Sequence, residues 1–470
     1  MNKLLLVAPL LVAATAYEKG TALFAPANPA AYLNTAPLTS ATPTEVKSVT
    51  GIQGTQTTAT VADVVAAANA FIATLSTSQQ STLLQTFNQT NVTKWSNLPV
   101  NTTNRIGLRL DALTTAQQAA ALAVVQAATG TGNEGFNEIQ QLRAADDNLA
   151  ANGGGSAYGS GVYLIAFLGS PTTAGTWMLM FGGHHLATNI TYSNGNVTGA
   201  TPKFEATEPL SFTTANSNVF PTGTTIAPLS SEASGMLAML NGLSASQKSS
   251  ALLTQTFNDI LLGTGQDGNF PATRVGLQCS QLSSAQQDLV VAAMAPWVQD
   301  ADDVTSANLL AYYRTQLANT YIAYAGTGNL TSQSDYVRID GPNVWIEFSC
   351  QGGVVYRNQI HYHTIWRDRA RDYGGNFYTT VLGTKATAAT QTFSVYPNPT
   401  SGDDALQVKL TTPATTASYT LRNLMGQTLA TKTFRGSAVQ VPTEGLAAGT
   451  YVLSLEADGS EPVNHRFVVK

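Results

Sequence analysis

The chain has 470 residues, 43% of them hydrophobic and 11% charged, with 23 basic against 28 acidic side chains and a net charge of −5. That apolar content over that length supports a buried core and more than one domain, and it excludes an intrinsically disordered chain. The mild negative charge offers no basic stripe to neutralise phosphates, which excludes nucleic acid as a partner.

Residues 1–16, MNKLLLVAPLLVAATA, carry one basic side chain at Lys3, an apolar stretch from Leu4 to Val12 and the small-residue end Ala14-Thr15-Ala16. This is the pattern of a cleaved signal peptide. The run is shorter than the ~20 apolar residues of a membrane helix, and no later segment qualifies, so no transmembrane segment is expected. Thr, Ser, Asn, Gln and Gly replace charges over the rest of the chain, a composition that suits an extracellular surface. Residues 17–60, rich in Ala, Thr, Pro and Gly without a sustained period, read as a flexible lead-in.

A core domain is expected over 61–383. Within it an internal repeat emerges on sliding the chain by about 169 positions, so that RIGLRLDALTTAQQ (105–118) aligns with RVGLQCSQLSSAQQ (274–287). Ser76, Thr114, Ser244 and Ser283 each stand three residues before a Gln (Gln79, Gln117, Gln247, Gln286), the capping-box spacing in which two orphaned backbone donors are satisfied reciprocally. A leucine precedes each box, placed to staple the helix start. Two similar helical units follow from these matches, with Arg105 and Arg274 as scaffold residues or, alternatively, as ligand-binding ones.

Short β-prone runs bounded by Gly and Pro, at 163–167, 176–181, 186–192, 336–339, 344–349 and 354–365, predict antiparallel strands. The expected fold class is therefore α+β: duplicated helical units packed with antiparallel sheet. The two cysteines, Cys279 and Cys350, fit either one disulfide or two buried thiols.

Four of the five histidines lie in two doublets, His184-His185 and His361-Tyr362-His363. On a strand, the spacing of two puts His361 and His363 on one face, a chelating geometry. If His184 and His185 are also extended, their rings point to opposite faces and only one joins such a site. Three imidazoles with a carboxylate or water suit zinc, and alternatively copper or iron. Glu347 stands amid apolar neighbours in VWIEFSC, where an unpaired carboxylate is costly, so it is the preferred carboxylate ligand or general base. Arg367 and Asp368 are placed to orient a substrate or the histidines. Zinc implies metal-dependent hydrolysis of an extracellular substrate, while copper or iron implies an oxidoreductase. A non-catalytic surface for glycan or polymer, built on Trp177, Trp345 and Trp366, is the alternative from another class. No GxSxG, P-loop or HExxH stretch is present.

Residues 384–392 form an Ala/Thr-rich linker, and a second module follows over 393–470. With Tyr396-Pro397-Asn398-Pro399 and Gly449-Thr450-Tyr451-Val452 it resembles the C-terminal sorting domain read by the type IX secretion system of Bacteroidetes. The resemblance implies a small β-sandwich, the type IX secretion machinery as partner and a secreted or cell-surface attached protein. The core, through GTWMLMFGGHHLATN, the R-x-G-L repeats and the stretch from Arg338 to Gly375, resembles the domain of unknown function 3500 family. That family implies no activity.

Overall fold

Short polar side chains set the starts of the helices. The computed structural model describes residues 58–100, 105–378, 393–401, 404–423, 428–458 and 463–470, in two compact units divided near residue 380. The expected signal peptide, the lead-in up to residue 57 and the linker 384–392 lie outside the described residues.

The first unit begins with α1 (Val61–Ala73), α2 (Thr77–Leu83), β1 (Leu84–Gln85), α3 (Gln89–Val92), β2 (Leu108–Arg109), α4 (Thr115–Ala128) and α5 (Phe136–Leu149). Strands β3 (Leu164–Leu168), β4 (Thr176–Gly183), β5 (Leu186–Ser193), β6 (Asn196–Gly199) and β7 (Lys203–Thr207) come next, then a small β8 (Phe212–Thr213) and β9 (Thr225–Ile226) pair. A second helical run holds α6 (Ser230–Asn241), α7 (Ala245–Ala251), β10 (Leu277–Gln278), α8 (Ser284–Val298) and α9 (Asp303–Thr315). It leads into β11 (Tyr321–Ala325), β12 (Tyr336–Asp340), β13 (Val344–Gly352) and β14 (Ile360–Asp368).

All four expected capping boxes form, at Ser76, Thr114, Ser244 and Ser283, and a further one forms at Thr60 with Asp63. Leu75, Leu113, Leu243 and Leu282 are buried before them, as a staple requires. The box glutamines also pair across helices, Gln117 Nε2 to Gln79 Oε1 at 3.5 Å and Gln286 Nε2 to Gln247 Oε1 at 2.8 Å. Ser283→Ala should therefore destabilise the core by about 1 kcal/mol, read as a lower denaturant midpoint at unchanged slope.

The strands join one 12-stranded sheet in the order β1-β3-β4-β5-β7-β14-β13-β12-β11-β10, with β2 on β3 and β6 on β5. Alternation along each strand sends Trp177, Leu179 and Phe181 of β4 toward the main helical layer, while Met178 and Met180 meet Val92, Trp95, Ile260 and Leu262 on the opposite face. The antiparallel pair β7 and β14 lies at the middle, with His363 opposite Ala206 and Thr364 opposite Glu205. The expected strand over 354–365 is shifted, because β13 runs on to Gly352 and a turn precedes Ile360. Strands β7 and β11 were not anticipated. Cys279 and Cys350 are free and buried, so the disulfide alternative is not realised. Among the described residues no helix is long and apolar enough to cross a membrane.

In the second unit β15 (Phe393–Tyr396), β16 (Ala405–Asn423), β17 (Thr428–Pro442), β18 (Gly449–Ala457) and β19 (Val463–Val469) form one antiparallel sheet of five strands. The described strands thus make a single sheet where a two-layered sandwich was expected. The long β16 pairs with β17 throughout and shows register breaks between Lys409 and Ala417, and bulges of this kind bend a strand so that one sheet can curl over its own core. That core includes Val408, Leu421, Leu453 and Phe467. The Asn398 carboxamide of the Tyr-Pro-Asn-Pro turn binds both Arg466 O and Val468 N, tying the turn to β19.

Candidate metal centre

The two doublets meet. His184 and His185 are the two residues between β4 and β5, so they turn a hairpin and are not extended, and His185 has φ +60°. Gly182 and Gly183 make that turn feasible: a Cβ on Gly182 would stand 2.4 Å from Leu186 O, and one on Gly183 would press into the Tyr163 ring at 2.8 Å. Four further contacts hold the hairpin. Arg105 donates to Gly183 O at 3.0 Å, Tyr163 Oη to His184 O at 2.9 Å, His185 N to Asn97 O at 3.3 Å and Ala206 N to His185 O at 2.9 Å. Arg105 is thus a scaffold residue, and Arg274 ties Gly341 O between β12 and β13 in a comparable way.

Opposite the hairpin, His361 and His363 project from one face of β14. The ligand nitrogens of His185, His361 and His363 all lie within 4.8 Å of one another, and the three residues are buried. The Nε2 atoms of His361 and His363 stand 3.1 Å apart. His363 Nδ1 meets Asp259 Oδ1 at 3.0 Å, so Nδ1 is the nitrogen that donates there and Nε2 is the one turned toward His361. Two ring nitrogens this close need a proton or a cation between them. Burial first, then the neighbouring His363 and His184, push His361 down to about 3, and burial with the three other rings holds His185 well below its ordinary value. At neutral pH these are neutral imidazoles, the form that ligates metal.

His184 stands beside the group without belonging to it. Its ring stacks on His185 at 3.6 Å, and its Nδ1 meets buried Asp146 at 2.6 Å. The side chain of Asp259, by contrast, is 48% exposed, so it marks the side on which the centre approaches solvent.

The remaining sequence candidates lie in other networks. Glu347 is not beside the histidines: its two oxygens accept from Tyr336 Oη (2.6 Å), Leu261 N (2.7 Å), Trp345 Nε1 (2.8 Å) and Leu262 N (2.9 Å). With four donors its acceptor sites are filled, and it anchors the 261–262 segment onto β13. Glu347→Gln turns a donor toward donors, so it should cost about 2–3 kcal/mol in a denaturant titration, with metal affinity falling by no more than about 10-fold because the 261–262 segment that follows Asp259 is loosened. Arg367 shares the histidine face but clamps Leu262 O, Gly263 O, Asp267 and Asp372. Asp368 points to the opposite face, where it accepts from Tyr313, Ala370 N and Arg371 N. Glu347 was assigned chemistry for its apolar neighbours, and Arg367 and Asp368 as residues that orient a substrate or the histidines; in all three the charge is met by hydrogen bonds. Asp259 and Asp146 were missed, and only the reappearance of the Thr-Phe-Asn of residues 86–88 just before Asp259 hinted at either. The tryptophan platform also fails. Trp95, Trp177, Trp297, Trp345 and Trp366, all five in the chain, are buried and offer no face to a sugar.

Comparison with known proteins places these residues in a family. No curated protein matches the chain significantly. Among solved structures, PorZ, a surface component of the type IX secretion system of Porphyromonas gingivalis, matches over 32% of this chain and 16% of its own, at 15% identity and a TM-score of 0.16, too slight a likeness to carry an argument. Residues 394–470 match the secretion system C-terminal sorting domain, which implies interaction with the type IX machinery and indicates a secreted or cell-surface attached protein. Residues 57–375, and with them every histidine and carboxylate described above, match the model of a protein of unknown function, so the chain belongs to the DUF3500 family.

Proposed function

We propose that the core is an extracellular metal-binding domain in which His185, His361 and His363 hold one transition ion, zinc first, with Asp259 orienting His363. The observation that carries this is the 3.1 Å approach of two Nε2 atoms, one of them on a ring whose Nδ1 is held by a carboxylate, with the His185 imidazole in reach. The all-imidazole set also accepts copper or iron, but zinc needs no redox partner. Three protein ligands leave a fourth position for water, the pattern of catalytic rather than structural zinc. Bound zinc would supply Lewis acidity there, and hydrolysis of an extracellular substrate is the corresponding activity. His184, Glu347 and Arg367 act as positioning residues in this reading, His184 through the hairpin and the other two through the 259–263 segment, while Asp368 holds the turn after β14 on the opposite face.

The hydrolase reading is tested with nitrophenyl ester and phosphodiester probes on the full chain loaded with zinc, copper or iron in turn. Zinc-dependent turnover that His363→Ala abolishes supports it. Metal bound at the histidines without turnover on either probe leaves a binding domain and removes the hydrolase.

The core also reads as two copies of one unit. The four capping boxes, the paired Arg105 and Arg274 tethers, and helices leading into four antiparallel strands in each half support this, with β7 and β14 meeting at the join.

A further inference from the structure

Behind the histidine centre, across the sheet, lies a second group of ionisable side chains. Glu205 neighbours Ala206, the residue opposite His363, so alternation sends its side chain to the other face of β7. There Glu138 links two groups of carboxylates, one with Glu134 and Glu232 and one with Glu205 and Asp300, the second of which meets Lys203. Lys203 Nζ lies 3.0 Å from both Glu205 and Asp300, and Gly135 N adds a bond to Asp300. Those two carboxylates have their counter-charge. Among the described residues Glu134, Glu138 and Glu232 make no direct ion pair with a base, Glu134 and Glu138 feeling Lys203 only from a distance, and each offers an oxygen within 4.8 Å of the others.

Glu232 is 0% exposed and both of its oxygens lack a hydrogen-bond partner; Glu138 is 2% exposed and its Oε2 likewise lacks one, its other oxygen accepting from Leu229 N. Buried carboxylate oxygens without donors are costly unless a proton or a cation lies among them. Both residues sit in the first turns of their helices, α5 and α6, where the helix dipole favours negative charge but offers only a fraction of one positive charge. Three carboxylates need more than that.

We propose that Glu134, Glu138 and Glu232 hold a hard divalent cation, calcium by its fit to an all-oxygen donor set, which pins the starts of α5 and α6 together and so ties the N-terminal half of the core to the C-terminal half. Carboxylate oxygens within 4.8 Å of one another match ligands at about 2.3–2.6 Å from a shared calcium, and among the described residues no imidazole or thiol joins this group to select a softer metal. Without the ion, burial and then the neighbouring carboxylates push Glu134 up to about 7 and Glu138 and Glu232 well above the ordinary range. The competing occupant is therefore a shared proton.

The test is calcium chloride titrated into the full chain after dialysis against EGTA, followed by calorimetry and thermal unfolding. One calcium per chain and a Tm rise of roughly 5 °C are expected. The Glu138→Gln, Glu232→Gln double variant should bind no calcium and lose the rise, and His361→Ala should keep both. A wild-type chain with no heat of binding and a calcium-independent Tm would overturn the site in favour of shared protons. Loss of calcium binding in His361→Ala would overturn it too, by assigning the ion to the histidines.

Discussion

His361→Ala combined with His363→Ala should weaken zinc binding about 10³-fold or more, ~4 kcal/mol, in a competition titration against a chromophoric chelator. Both rings come from one face of β14, and their Nε2 atoms converge at 3.1 Å. Removing them leaves only His185 of the three-nitrogen set, and one imidazole does not chelate. Asp259→Asn should have a smaller effect, about 10–100-fold, because it loosens the tautomer and orientation of His363 without removing a ligand. The gradation between the two variants separates a ligand from the group that orients it. Equal losses would contradict that division.

Arg367→Ala should cost about 3–5 kcal/mol of folding stability, measured as a fall in Tm and denaturant midpoint of the full chain. The guanidinium is fully buried, spans two backbone carbonyls and two carboxylates, and lies 5.5 Å from the Trp95 ring. Asp372, already pushed up to about 6 by burial despite this arginine, would lose its nearest counter-charge. Arg367→Lys should not restore stability, because an ammonium cannot span the same fork of acceptors. The clamped carbonyls of Leu262 and Gly263 follow closely on Asp259, so zinc affinity should fall too, by no more than about 10-fold, the range of a perturbed orienting residue. A substrate-binding arginine would show the reverse: little change in stability and a large change in activity.

The contrast between His361 and Glu347 shows where sequence reading succeeds. A spacing of two on a strand fixes which side chains share a face whatever the tertiary context, so the pairing of His361 with His363 is legible. The capping boxes are legible for the same reason, since Ser76 and Gln79 satisfy each other within one turn. Glu347 differs because its partners, Leu261 and Leu262, arrive from a segment more than 80 residues away, and no local pattern announces that its oxygens are filled. For His184 and His185 the sequence left the conformation open; the two preceding glycines mark the turn that the structure shows, and only His185 joins the centre. Strand β7 was missed although Lys203, Glu205 and Thr207 alternate with Phe204 and Ala206; the run is only five residues long, and its polar face, which alternation alone would turn to solvent, is buried under the helices. That hidden polar face is also where the acidic group lies, so one misreading concealed both.

The most direct measurement is X-ray absorption at the zinc edge on the full chain carrying one equivalent of zinc, with calcium present to fill any oxygen site. Three imidazole nitrogens at about 2.0–2.1 Å, reduced in the His361→Ala chain, are the predicted result. A shell of oxygens alone, or a chain that retains no zinc, would contradict a metal held by His185, His361 and His363.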